Sequence, residues 1–127
     1  MIEFIPNYIK HSDKRGYFLG LINFGNWKEI NFIYSEAGTI RGDHYHHNTD
    51  ELFIILEGKI KIILQNVLGK KKVLDNKKKI FSVKEGDVFL IKKNVNHIFE
   101  IIEHSKWINI LSQKIDKEKP DIHRILS

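Results

Sequence analysis

The chain has 127 residues, the length of one small domain, and it contains no cysteine. Hydrophobic residues make up 42% and charged residues 29% of the chain, so its composition excludes a mainly disordered protein. The absence of cysteine excludes disulfides, a thiolate nucleophile and thiolate metal ligands. A metal ion would therefore be held by carboxylates and by some of the seven histidines.

The net charge of +5 comes from an excess of lysine, which is concentrated in residues 69–79. That segment has no aromatic side chain to stack on a base, so we expect no nucleic-acid partner. It is typical of a solvated hairpin, with the turn at Asp75 and Asn76 or at Asn76 and Lys77.

Hydropathy predicts the location of the protein. No apolar run approaches the roughly 18 residues of a membrane-spanning helix. Residues 1–10 lack the basic start and apolar centre of a signal peptide. We therefore expect a single domain, residues 1–127, that is cytoplasmic and makes no membrane contact.

Short apolar runs rich in Ile, Val, Phe and Tyr follow one another along the chain, separated by turn residues. Such residues favour strands, and closely spaced strands are typical of a sandwich or barrel. We therefore predict an all-β fold, with a short helical turn after Pro120. The predicted strands are residues 17–24, 27–34, 39–45, 52–56, 59–64, 88–91, 97–102 and 107–111.

Three histidines, His44, His46 and His47, lie close together in the sequence. Residues two apart on a strand point to the same face, so the imidazoles of His44 and His46 can reach one point while His47 faces away. Glu51 follows after a short turn and can lie beside them. Two histidines and a carboxylate are a common ligand set for Fe, Mn, Zn, Ni or Co.

The spacing of these residues resembles the two sequence motifs of the cupin superfamily. The first motif is Gly, five residues, His-x-His, three or four residues, Glu, six residues, Gly. Its fixed positions are all matched, by Gly38, His44, His46, Glu51 and Gly58. The second motif is matched at Gly86 and His97, while Lys92, Asn94 and Ile101 stand where the family has Pro, Gly and Asn.

This resemblance implies a double-stranded β-helix, the cupin jelly-roll barrel. It also implies that His44, His46, Glu51 and His97 converge inside the barrel, where they would hold a divalent metal ion such as Zn, Fe, Mn or Ni. Taken alone, a histidine at position 97 would more often be structural. Asn94 can adopt the left-handed conformation that glycine supplies in the family's turn.

Two shorter segments resemble cupins that modify nucleotide-sugars. Residues 41–47 are similar to the signature of dTDP-4-keto-6-deoxyglucose 3,4-ketoisomerases and of the C-terminal cupin domain of bifunctional capsular-polysaccharide enzymes. Residues 13–18 are similar to a segment near the N-terminus of dTDP-4-dehydrorhamnose 3,5-epimerases. The resemblance implies a sugar-nucleotide epimerase or isomerase in surface-polysaccharide precursor synthesis, with a dTDP- or UDP-sugar as substrate.

Two mechanisms are open at such a site, because one imidazole nitrogen cannot hold a metal and accept a proton at the same time. A metal ion would polarise the keto oxygen of the sugar as a Lewis acid. Without a metal, His44 or His46 would be the catalytic base. Tyr45 and Tyr34 are candidate proton donors, and their alternative role is strand packing.

Substrate binding has its own candidate residues. Arg41, and Arg15 from a neighbouring subunit, are candidates to hold the diphosphate, and Tyr34 is a further candidate for substrate contact. The resemblance also implies a homodimer, for which the apolar residues 2–9 are a candidate contact.

The remaining aromatic residues and histidines are predicted to have no role in the site. We expect core packing for Phe18, Trp27 and Trp107, and solvent exposure for His11, His104 and His123. Two other functions stay open from the sequence. They are a metal-dependent oxygenase or other small-molecule cupin enzyme, and a non-catalytic binding or sensor cupin.

Overall fold

The computed structural model describes residues 1–69 and 73–125, and its regular structure in that part of the chain is entirely β. An all-β fold is thus confirmed, and the described residues contain no helix that could span a membrane. The strands are β1 Ile2–Phe4, β2 Ile9–Asp13, β3 Gly16–Gly20, β4 Glu29–Ser35, β5 Ile40–His44, β6 Glu51–Leu68, β7 Val73–Leu74, β8 Lys79–Lys84, β9 Val88–Ile91 and β10 Val95–Leu111.

Two long antiparallel strands, β6 and β10, organise the barrel, and they pair along their whole length from Glu51↔Leu111 to Asn66↔Val95. The first half of β6 also pairs with β9 and its second half with β8, while β10 pairs with β5 and then with β4. Each long strand therefore belongs to both sides of the structure. This arrangement is the cupin jelly roll.

The sequence predicted that one strand ends before Gly58 and another begins after it, and that a second pair is divided in the same way at residues 103–106. The structure has one continuous, bent strand in place of each pair, β6 and β10. A straight strand of 18 residues would be about 60 Å long, so β6 has to bend to stay within a small domain. It bends at Gly58, which has φ 101° and lies against Ser105 in the irregular part of β10.

The barrel interior holds the larger of two hydrophobic clusters. Trp107, which is 1% exposed, stacks on Phe53 and contacts Phe99 edge to face, so its predicted core position is confirmed. The full set of buried members is Phe53, Ile55, Ile60, Ile62, Leu64, Val83, Phe89, Ile91, Val95, Phe99, Ile101 and Trp107. Trp27 packs instead on a second cluster, formed by Leu52, Ile54, Val88, Leu90 and Ile110.

Several local predictions are corrected by the structure. Phe18 is exposed rather than in the core, because β2 and β3 form a separate two-stranded sheet. Residues 121–125 form no helical turn, since the chain there stays extended and bridges Tyr45 through His123. Asp75 and Asn76 are not the hairpin turn but the break between β7 and β8, both of which pair with β6.

Part of the N-terminal segment that was a candidate for the dimer contact, residues 2–9, pairs with a strand of its own chain. Strand β1 pairs with β9, from Ile2↔Ile91 to Phe4↔Phe89. The ring of Phe4 meets those of Phe81 and Phe89 at centroid distances of 5.6 and 6.1 Å. Residues 2–4 therefore complete a sheet edge of their own barrel.

Candidate metal and substrate site

The fold brings four residues from distant parts of the sequence together. His44 ends β5 and is paired in register with His97 near the start of β10. Glu51 begins β6, and His46 lies in the connection between β5 and β6. Asn94, with φ 62°, adopts the left-handed turn expected of it and donates its backbone N–H to the carbonyl of His46 over 2.8 Å.

The side chains of His44, His46, Glu51 and His97 form one compact cluster, which we call the His–Glu cluster. One possible ligand atom from each residue lies within 4.8 Å of the others. Glu51 Oε1 is 3.3 Å from His97 Nε2 and also touches His46 Nε2. Glu51 is 5% exposed and His97 1% exposed, so that the cluster is largely shielded from solvent.

Each member of the cluster presents one buried polar atom that makes no aligned hydrogen bond, namely His44 Nδ1, His46 Nε2, Glu51 Oε1 and His97 Nε2. Buried polar atoms are normally hydrogen-bonded, so four such atoms facing one point are unusual. Three imidazole nitrogens and a carboxylate oxygen are suitable donors for a divalent transition metal. The residues present therefore fit the metal ion that the sequence predicted.

Burial and the contacts among the four residues together set the pKa values of the cluster. Burial raises the pKa of Glu51, but the contacts with His46 and His97 outweigh it and hold this pKa well below its usual range. Burial lowers the pKa of His46, but the contact with Glu51 outweighs that effect and raises the pKa. For His44, burial is the main cause, assisted by His97 and His46, of a pKa lowered to about 3.

Three side chains of the cluster are oriented by contacts to the polar atoms that face away from its centre. His97 Nδ1 contacts the carbonyl of Val95 over 3.0 Å, and Asn109 Nδ2 donates to Glu51 Oε2 over 3.2 Å. His46 Nδ1 contacts the carbonyl of Asp121 over 2.5 Å. A carbonyl only accepts, so Nδ1 of both rings carries the hydrogen and Nε2 is left for the cluster.

Two cavities flank His44. The inner cavity, of about 150 Å³, is lined by three members of the cluster, His44, His46 and Glu51, and by the C-terminal segment around Pro120 and Asp121. The outer groove, of about 570 Å³, is open to solvent and is lined by Tyr34, Arg41 and Arg124. His44 lines both cavities.

The structure places Arg41 and Tyr34 together in this outer groove, as two of the predicted substrate-binding residues. Arg41 Nε donates to Ser35 Oγ over 3.0 Å, and its terminal nitrogen donates to the carbonyl of Tyr34 over 3.1 Å. The same Ser35 Oγ accepts a hydrogen bond from Trp107 Nε1 over 3.1 Å. The guanidinium of Arg41 is therefore tied to the core while it lines the groove.

Two predicted site residues lie elsewhere in this chain. Tyr45 is 2% exposed and packs against His47 and His123, on the face of the strand opposite His44. Arg15 is at the tip of the β2–β3 hairpin, where it forms a 2.7 Å ion pair with Asp13. The structure therefore brings neither residue to the His–Glu cluster.

The other histidines differ in their surroundings. His11 and His104 are exposed as expected, and they pair with Asp13 and Glu36. His123 was expected to be exposed but is half-buried, and the centroid of its ring lies 4.1 Å from that of the His47 ring. This correction follows from the extended C-terminal segment, which lies against the strand end at Tyr45.

Comparison with known proteins identifies the family. Residues 11–122 match the family model of the polysaccharide biosynthesis C-terminal domain. The chain belongs to this family. A curated relative, the UDP-2-acetamido-2,6-beta-L-arabino-hexul-4-ose reductase of Pseudomonas aeruginosa, is 33% identical over 58 residues. That match covers 46% of this chain and only 16% of the reductase.

Solved structures support the same fold. A mutant of the 3,4-ketoisomerase QdtA from Thermoanaerobacterium thermosaccharolyticum, in complex with TDP-4-keto-6-deoxyglucose, is similar with a TM-score of 0.75 and 19% identity over 98% of this chain and 87% of that one. The capsular polysaccharide assembling protein CapF from Staphylococcus aureus is similar with a TM-score of 0.69 and 22% identity. The match covers 92% of this chain and 34% of CapF. The predicted cupin jelly roll is thus confirmed.

Proposed function

We propose that this member of the polysaccharide biosynthesis C-terminal domain family acts on nucleotide-activated keto-sugars, as an epimerase or ketoisomerase in the synthesis of surface-polysaccharide precursors. The observation that carries the proposal is the position of His44. This residue belongs to the buried His–Glu cluster, suited to proton transfer or metal binding, and also lines a groove with two arginines, suited to a diphosphate. The ligand in the complex of the QdtA mutant, TDP-4-keto-6-deoxyglucose, is a nucleotide-activated keto-sugar.

The reaction needs the removal of a proton from the carbon next to the keto group. The electron pair moves onto the keto oxygen to form an enolate. In an epimerisation a proton returns to the same carbon from the opposite face. In a ketoisomerisation the proton goes to the former keto carbon, while the hydroxyl proton of the neighbouring carbon moves to the former keto oxygen. A divalent ion held by the four residues would supply Lewis-acid polarisation of that oxygen. In the metal-free protein, the base would be His44, whose Nδ1 makes no aligned hydrogen bond, because both nitrogens of His46 already face acceptors, the carbonyl of Asp121 and Glu51 Oε1.

Arg41 and Arg124 are proposed to bind the diphosphate from the open groove. Of these two residues the sequence singled out only Arg41, because Arg124 reaches the groove through the unexpected extended path of residues 121–125. Two guanidinium groups can make several charge-assisted hydrogen bonds to phosphate oxygens.

Nucleotide binding tests this arrangement. We expect dTDP or UDP to raise the melting temperature of the wild-type protein. Arg41→Ala is expected to weaken that binding by about 10- to 100-fold, because hydrogen bonds to charged groups contribute about 1.5–3 kcal/mol. Lys61→Ala, which removes a partly exposed cation on β6, is the matched control. Equal affinity of the Arg41 and Lys61 variants, measured by calorimetry, would exclude Arg41 from the diphosphate site.

We further propose that the protein is a homodimer built through the β2–β3 hairpin. The hairpin exposes 79% of Tyr17 and 61% of Phe18, and β4 exposes 68% of Ile30 and 63% of Phe32. Covering such apolar surfaces is favourable, and the hairpin of a second copy would carry Arg15 with it. A monomer in sedimentation experiments at micromolar concentration would contradict this assembly.

A further inference from the structure

The C-terminal segment lies next to the His–Glu cluster and lines the inner cavity with it. Tyr45 and His123 exchange two backbone hydrogen bonds, of 2.9 and 3.0 Å. This bridge holds the segment against the end of β5, next to His44 and His46. The residue two positions earlier, Asp121, borders the inner cavity.

The carboxylate of Asp121 is almost fully used by hydrogen bonds from the turn that connects His46 to Glu51. Its Oδ1 accepts from the backbone N–H of His47 over 2.9 Å, and its Oδ2 accepts from the backbone N–H of Asn48 over 2.8 Å and from Thr49 Oγ1 over 2.9 Å. His123 Nε2 adds a contact of 2.9 Å to Oδ1. Burial raises the pKa of Asp121, but these contacts outweigh it and hold this pKa well below its usual range.

The carbonyl of the same residue sets the state of the His46 ring. It lies 2.5 Å from Nδ1, and since it can only accept, that nitrogen carries the hydrogen. The other nitrogen, Nε2, is thereby turned toward Glu51 Oε1. Asp121 therefore fixes both the ring of His46 and the turn leading to Glu51.

We propose that Asp121 is a positioning residue of the site, which holds His46 in its Nδ1–H form and keeps Nε2 directed into the His–Glu cluster. Outer partners of this kind govern the orientation and basicity of histidines that ligate metals or accept protons. The inference rests on the proposed role of His46. The new point is that Asp121, which is distant in sequence and lies outside both cupin motifs, is required for His46 to act in the site.

Asp121→Asn tests the proposal with little change of volume. The asparagine amide would direct an NH₂ group at backbone N–H or side-chain donors that now meet a carboxylate, so the turn and the carbonyl should shift. In ¹H–¹⁵N spectra of the metal-free protein, we expect the Nδ1–H proton of wild-type His46 to be observed, because its hydrogen bond to the carbonyl of Asp121 slows exchange with water. We expect this signal to be lost to exchange in the variant. Asp121→Ala is expected to give the same loss.

The matched control is Asp116→Asn, because Asp116 lies in the same segment and accepts backbone hydrogen bonds from Glu118 and Lys119 over 3.0 and 3.2 Å. Zn²⁺ affinity should fall about 10- to 100-fold in Asp121→Asn and stay unchanged in the control. A folded Asp121→Asn protein with the wild-type Nδ1–H signal of His46 and the wild-type Zn²⁺ affinity would overturn the proposal. Because the ring spectrum needs neither metal nor substrate, it can fail while the proposed sugar chemistry stands.

Discussion

Glu51→Gln is expected to lower the affinity of the protein for Zn²⁺ or Mn²⁺ by more than about 100-fold, since loss of even an outer partner costs about 10- to 100-fold. Glu51 is the one anionic donor of the His–Glu cluster, and its Oε1 is one of the four buried atoms without an aligned hydrogen bond. A neutral amide offers a weaker oxygen donor and no charge to balance the ion. Isothermal titration of metal into metal-free protein measures the change.

Glu57→Gln is the control for Glu51→Gln, because it makes the same chemical change on the surface, where Glu57 pairs with Lys106 over 3.6 Å. The control should bind metal like the wild type. If Glu51→Gln binds either ion within threefold of the wild type, the four residues are not the metal site. Proton transfer by His44 would then be the remaining mechanism.

Gly58→Ala is expected to destabilise the fold by about 3 kcal/mol, through backbone strain and overpacking. Gly58 has φ 101°, in the left-handed region that favours glycine, at the bend of β6. A Cβ there would come within 2.5 Å of the carbonyl oxygen of His104 and 2.8 Å of Ser105 Cα. Those atoms are backbone, so they cannot move aside without disturbing β10. Urea unfolding followed by fluorescence measures the loss.

Gly38→Ala separates the two causes of that loss. Gly38 has a similar φ of 84°, but a Cβ there would meet nothing within 4 Å. We expect this variant to lose only about 1 kcal/mol, from the backbone strain alone. If both variants lose the same stability, the close approach of β6 to Ser105 contributes nothing, and the bend depends only on backbone conformation.

The parts of the site that follow strand geometry could be predicted from the sequence. His44 and His46 share a face because they are two apart on an extended chain, and His47 faces away as expected. The same alternation puts Tyr45 on the face opposite to His44, where the structure buries it. The convergence of Glu51 and His97 with the two histidines depended on the resemblance to cupins, because only the barrel brings these positions together.

Long-range contacts of the C-terminal segment could not be predicted. Asp121 and His46 are 75 residues apart, and no periodic pattern or motif links them. Pro120 suggested a helical start, but the segment gains two backbone hydrogen bonds at Tyr45 by staying extended. The contacts of Asp121 and the approach of Arg124 to the groove both depend on this extended conformation of residues 121–125.

Deuterium exchange is the most direct test of whether the protein removes a proton next to the keto group of a nucleotide-sugar. The protein, metal-free or loaded with Zn²⁺ or Mn²⁺, would be incubated in D₂O with TDP-4-keto-6-deoxyglucose and with a UDP-linked 4-keto-sugar, beside samples without protein. Proton NMR would follow the carbon next to the keto group. We expect protein-dependent entry of deuterium at that carbon with at least one of the sugars, and its loss in Glu51→Gln. No exchange above the protein-free rate with either sugar, in any metal state, would contradict this expectation.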